Sequence, residues 1–191
     1  MTHAEPDASA DGLGGEERAL LLRVARSAIE AHLRGADHAP PEARGALAEP
    51  RGAFVTLRRR ADEELRGCVG LLRSERSLLE TVSAMAVAAA SEDGRFPPVT
   101  LAELSGLAIE ISALGPMRPI RPEQVEVGRH GLLLSLGRRR GVLLPQVPLE
   151  HGWDRETFLK HTCWKAGLPE DAWRDPAAEL LGFTAIVFGE D

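Results

Sequence analysis

Of the 191 residues only two are cysteine, Cys68 and Cys163, and of the 23 basic residues only Lys160 and Lys165 are lysine. Two cysteines exclude a disulfide framework, so each thiol is either a small core side chain or a reactive group. The scarcity of lysine beside abundant alanine reads as GC-rich coding and carries no functional conclusion. No apolar run approaches the ~18 residues that a bilayer span requires, which excludes a transmembrane helix. The start, Met1-Thr2-His3-Ala4-Glu5-Pro6-Asp7, has neither the basic residues nor the apolar stretch of a secretory signal, so the expected location is the cytoplasm. Also missing are a Gly-rich nucleotide loop, a Gly-x-Ser-x-Gly elbow and a cysteine cluster for iron–sulfur or zinc. No cofactor and no metal is expected. A net charge of −6 argues against bulk attraction to nucleic acid or anionic lipid, although a local basic patch is still possible.

What is present is globular composition, 43% hydrophobic and 27% charged, at a length that suits one generous domain or two small lobes. Residues 1–15 carry no apolar periodicity and are expected to form a mobile tail, with a single domain over 16–191. From Glu16, the positions Leu20, Leu21, Val24, Ala28, Ile29 and Leu33 recur at helical spacing, and Gly35 follows as a stop. Gly52 to Leu57 and Leu65 to Leu72 read as the strands of a hairpin, with Arg58 to Glu63 at its tip. Ser77-Leu78-Leu79-Glu80 has the form of a capping box opening a helix to Ser91, and Thr100-Leu101-Ala102-Glu103 repeats that form ahead of a strand over Leu107 to Leu114. Prolines 116, 119 and 122 make the next stretch an extended loop.

The second half looks like the first. Gly131 to Leu136 followed by Arg138-Arg139-Arg140 mirrors Gly52 to Arg60, Gly141-Val142-Leu143-Leu144 stands where Gly67 to Gly70 stood, and a helix over about Asp154 to Ala166 follows. A strand from Leu181 to Phe188 closes the chain. The pattern predicts an α+β fold of two similar β-hairpin-plus-helix halves, about 52–92 and 131–168, sharing one sheet, with the arginine triplets at equivalent tips.

Chemistry centres on Leu65-Arg66-Gly67-Cys68-Val69-Gly70. Glycines inside a strand mark a bulge or a close approach, and strand alternation puts Arg66 on the face of Cys68, where a guanidinium would lower the thiol pKa. The alternative is a small buried cysteine. His130 is a candidate general base, or else a turn histidine bonding the backbone. Glu150 and His151 could orient a base, against the alternative of a solvated loop. His161 and Cys163, two apart on a helix, face different ways and do not suit shared metal ligation. The arginine triplets read as charged hairpin tips rather than phosphate sites.

These residues resemble a known family. Leu65 to Gly70 is joined by Arg95-Phe96-Pro97-Pro98-Val99-Thr100, Gly128-Arg129-His130-Gly131-Leu132 and Gly141 to Val147, with Gly152-Trp153-Asp154, Phe158-Leu159 and Lys165 to Pro169 in the same order. Over roughly 17–190 the chain resembles the AMMECR domain family, called AmmeMemoRadiSam system protein A in prokaryotes. It departs from the family at Val69, where isoleucine is usual, and at Asp93-Gly94-Arg95, where Asp-Pro-Arg is frequent and a glycine loosens the turn. The resemblance implies two β/α halves in a barrel-like, mostly antiparallel sheet flanked by helices. It also implies a gene context with a radical SAM protein and a Memo-like protein, and no established reaction. Two readings follow. In one, the surface around Cys68 binds a partner protein or a small ligand. In the other, Cys68 is a nucleophile or thiol carrier, with Arg66 lowering its pKa and His130 as base. The first is preferred, since no third catalytic member can be named. Cys68, Arg66, Gly67, Arg95, His130 and Gln146 are the candidate site residues, and all of them but Gly67 are expected to line one concavity between the halves.

Overall fold

The computed structural model describes residues 12–190. Its elements in chain order are α1 (Gly15–Leu33), β1 (Ala53–Arg59), β2 (Leu65–Leu71), α2 (Leu78–Ser91), β3 (Leu107–Leu114), β4 (Arg118–Pro119), β5 (Gly131–Leu136), β6 (Arg139–Leu143), α3 (Val147–Glu150), α4 (Arg155–Lys165), β7 (Glu179–Phe183) and β8 (Ala185–Gly189). The α+β class is as expected. No described helix is long and apolar enough to cross a membrane. The chain divides into two compact units: one runs to Leu114 and resumes at Ile186, the other is Gly115–Ala185.

In the first unit the sheet order is β2-β1-β3-β8, with β1 antiparallel to both β2 and β3. Alternation along β1 and β3 sends Val55, Leu57, Ile109 and Ile111 to one face, where they meet Leu21, Val24 and Ile29 of α1 and Leu79, Val82 and Ala86 of α2. Burying each large aliphatic side chain contributes about 1.5–3 kcal/mol. The α1 stripe is what the spacing predicted, and Gly35 takes the positive φ of a C′ residue, +66°. Helix α2 opens on the expected capping box: Glu80 N–H donates to Ser77 Oγ at 3.2 Å, and Ser77 N–H donates to Glu80 Oε2 at 3.1 Å. Glu190, just beyond β8, accepts from Arg26, from Arg60 and from the Ile109 N–H, and so ties the end of the chain to α1, the hairpin tip and β3.

The second unit has the order β4-β7-β5-β6, antiparallel throughout. Leu132 and Leu134 of β5 pack with Phe158, Leu159 and Cys163 of α4. Asp154 caps α4 by accepting from the Thr157 N–H at 2.8 Å.

Four expectations are corrected. The hairpins do not share one barrel-like sheet: β1 spends both edges on β2 and β3, β5 spends both on β6 and β7, and two open four-stranded sheets result. The closing strand over Leu181 to Phe188 is two strands in different sheets. Its break is Thr184, whose carbonyl accepts from the Gly115 N–H at 2.8 Å. The arginine triplets are not equivalent, because Arg58 and Arg59 end the outgoing strand of their hairpin, whereas Arg139 and Arg140 begin the returning strand of theirs. Residues 13–15, placed in the expected tail, belong to the folded first unit. Leu13 is 2% exposed in the core and its carbonyl accepts from Arg18 Nε, while residues 1–11 lie outside the described residues.

Candidate functional site

Strand β2 is an edge strand, and Cys68 sits near its middle. Its neighbour Gly67 faces α2 so closely that a Cβ there would stand 2.2 Å from the Ala89 carbonyl oxygen. Packing of the helix on the sheet therefore requires this glycine. On the opposite face a Cβ at Gly70 would stand 2.3 Å from the Phe54 ring. The two glycines thus let a helix and an aromatic ring come close on either side of the strand.

Arg66 does not serve the thiol as expected. The β1–β2 register shifts between Leu57 and Arg58, so that Arg66 is the extra residue of a bulge. Its guanidinium turns to the loop after α2, where Nη1 donates to Pro97 O at 2.9 Å, Nη2 to Pro98 O at 3.4 Å, and Nε to Glu103 Oε1 at 3.1 Å. The side chain is 10% exposed and its donors are committed to holding that loop beside β2. Glu103 also caps the Thr100 N–H at 2.8 Å, which keeps its carboxyl below the ordinary carboxylate range, the backbone bond acting first and the Arg66 bond after it.

The guanidinium next to Cys68 belongs to Arg95. The Cys68 N–H donates to Asp93 Oδ2 at 2.8 Å, and the Cys68 carbonyl accepts from Arg95 Nη2 at 3.3 Å. Asp93 and Arg95 close the loop on each other, Nε to Oδ1 at 2.9 Å and Nη2 to Oδ2 at 2.7 Å, while the Arg95 N–H adds a bond to Oδ1 at 3.2 Å. The pair forms a clip that stands where a further strand would stand. Asp93 is 7% exposed in its side chain, Arg95 58%. Bonding to Arg95 holds the Asp93 carboxyl far below its usual range against the opposing effect of burial, and raises Arg95 in turn. The turn at Asp93-Gly94-Arg95 is thus fixed by side-chain bonds despite its glycine. The thiol itself accepts one hydrogen bond among the described residues, from Thr56 Oγ1 at 3.3 Å, across the β1–β2 pair that places Thr56 opposite Cys68.

The other candidates belong to the second unit. His130 Nδ1 accepts from the Glu126 N–H at 3.0 Å, the backbone-bonding turn histidine that was the alternative reading, and burial lowers its pKa. With Nδ1 an acceptor and the ring neutral, the proton sits on Nε2. Gln146 leads into α3, and its Oε1 is buried without a partner among the described residues. Glu150 and His151 are exposed. His151 stacks on Trp153 at 4.8 Å between centroids, and Trp153 in turn stacks on His161 at 3.7 Å. Cys163 is fully buried, and burial pushes its thiol pKa up. Sequence reading missed Asp93 and Thr56 as members of the Cys68 site. A carboxylate two residues before Arg95 was the available signal for the first; strand register alone identifies the second.

The AMMECR1 family model matches residues 22–188. A protein of Thermococcus gammatolerans is 46% identical over 186 residues, covering 90% of this chain and 89% of the relative. Protein MK0488 of Methanopyrus kandleri is 43% identical over 187 residues, covering 92% and 89%. The crystal structure of Uncharacterized Protein PH0010 from Pyrococcus horikoshii superposes with a TM-score of 0.81 at 43% identity, covering 90% of each chain. The chain belongs to the AMMECR1 family.

Proposed function

We propose that this protein is a cytosolic binding or accessory module that acts with a radical SAM protein and a Memo-like protein through the surface around Cys68. The reading rests on the Asp93–Arg95 clip. It fixes the Cys68 peptide at a strand edge and leaves the thiol with a hydroxyl, not a base, as its hydrogen-bond partner among the described residues. Asp93 accepts four donors and is held ionised, which makes it a poor proton acceptor. A titration of the purified protein with each partner tests it. Cys68→Ser is expected to bind as wild type, and Cys68→Arg, which puts bulk at the same point, is expected to lose binding. Wild-type protein that binds neither partner would overturn the proposal.

The second reading, a thiol-dependent enzyme with Cys68 as nucleophile or carrier, is favoured by the Thr56 hydroxyl bonded to the sulfur and by the Arg95 guanidinium held against the Cys68 carbonyl. In that case Cys68→Ser abolishes activity while partner binding survives.

We also read the two units as copies of one hairpin-plus-helix element. The orders β2-β1-β3 and β6-β5-β7 support this, as does the crowding of Gly141, whose Cβ would stand 2.4 Å from Ala166 N much as that of Gly67 meets Ala89. Superposing β1–β2–α2 on β5–β6–α4 is the check. Geometries that fail to align would remove it.

A further inference from the structure

The register of β2 decides which of its backbone groups face outward. Cys68 turns its N–H and C=O away from β1 and into the clip, so by alternation Val69 bonds β1 and Gly70 again points outward. The clip covers only the first of these positions. The Gly70 N–H and C=O meet no hydrogen-bond partner among the described residues. Beside them Leu71 is 43% exposed, a large apolar side chain on one face of the strand, and the Phe54 ring packs over Gly70 on the other. A basic side chain follows this stretch: Arg73 is exposed and forms no ion pair among the described residues, whereas the charge of Arg95 is matched by Asp93.

We infer that the outer edge of β2 from Gly70 accepts an extended, acidic segment of a partner protein as an added strand, and that the Asp93–Arg95 clip is a latch which such a strand displaces from Cys68. The inference rests on the binding-module reading and names how the partner is held. Asp93 Oδ2 occupies the place of a neighbouring strand's carbonyl and Arg95 Nη2 that of its N–H. An incoming main chain therefore replaces both bonds with the same chemistry as it zips from Gly70 to Cys68. Because Asp93 and Arg95 are bonded to each other through two parallel contacts, they leave as a pair and neither charge is left unmatched. The segment is acidic because Arg73, exposed and without an ion pair among the described residues, stands at the open end of the edge, and it alternates with apolar residues because Leu71 and Phe54 offer one apolar contact on each face.

A synthetic peptide alternating glutamate with valine serves as probe, beside a lysine–valine peptide and a copy N-methylated at alternate amides, which keeps its side chains but cannot pair as a strand. The full-length protein is titrated with each while exchange of the Gly70 amide is followed. The glutamate–valine peptide is expected to bind and to slow Gly70 exchange, and the other two are expected to bind at least about tenfold more weakly. Arg95→Gln weakens the latch and is expected to tighten binding by about tenfold, since less of the protein must be opened before pairing. Unchanged Gly70 exchange, equal binding of the N-methylated peptide, or weaker binding to Arg95→Gln would each overturn the inference. If the radical SAM or Memo-like protein binds while Gly70 exchange is unaltered, strand addition fails and the binding module stands. If the peptide protects Gly70 and neither protein binds, the choice of partners fails and the strand site stands.

Discussion

Single atoms set the terms at Gly67. A methyl group there meets a backbone carbonyl, which cannot rotate aside, so Gly67→Ala is expected to lower stability by about 1–3 kcal/mol in chemical denaturation as α2 is forced off the sheet. Arg66 is an anchor for the loop over Pro97 and Pro98 and not the cation of the thiol. Arg66→Gln is accordingly expected to destabilise by about 1–3 kcal/mol, from the loss of the charge-assisted bonds by which a nearly buried guanidinium holds the loop, while the pH profile of Cys68 alkylation stays in place. A displaced profile would return Arg66 to the thiol. In the folded protein iodoacetamide is expected to modify Cys68 well before Cys163, which is enclosed and whose thiolate is disfavoured by burial.

At the scale of the element, the loop after α2 acts as a partial strand. Its clip satisfies one outward residue of β2 by side chains, a device that blunts an edge without covering it. The clip has a pH signature. The Asp93 carboxyl lies well below its ordinary range in the folded protein, so in acid the unfolded chain takes up its proton first. The stabilisation is present in full above the unfolded value, about 3.9, and is lost as pH falls toward the folded one. Asp93→Asn is therefore expected to be less stable than wild type at neutral pH, with the gap closing below about pH 3.9. Urea midpoints for both proteins across this range are the measurement, and a constant gap would show that the carboxylate charge is not what the clip uses.

For the whole molecule, the two ends of the described chain matter more than their composition suggests. Leu13 reaches the core of the first unit, so deletion through Gly15 is expected to cost about 2–3 kcal/mol, as is Leu13→Ala, in thermal or urea denaturation. A deletion through Gly15 that leaves the midpoint unchanged would show Leu13 to be dispensable. The other end is held by Glu190, which draws Arg26, Arg60 and the Ile109 N–H together beside β8. Through β8 the first unit depends on a strand encoded more than seventy residues after the rest of its sheet.

The sequence by itself determined what depends on near neighbours along the chain. The stripe Leu21, Val24, Ala28, Ile29 required α1, the Ser77–Glu80 pair placed the start of α2, and the glycine-punctuated run through Cys68 marked the strand on which the candidate site sits, because helical period, capping and glycine tolerance are local properties. Tertiary structure decided what depends on partners far apart in sequence. It divided the strands between two sheets and broke Leu181 to Phe188 at Thr184, since pairing is a choice among distant edges that an apolar run does not specify. It also set which arginine meets Cys68. Alternation put Arg66 on the right face, but the bulge and the waiting carbonyls of Pro97 and Pro98 drew it away, and Asp93 brought Arg95 in its place. A guanidinium goes where its donors are best satisfied, and only the folded backbone says where those acceptors are.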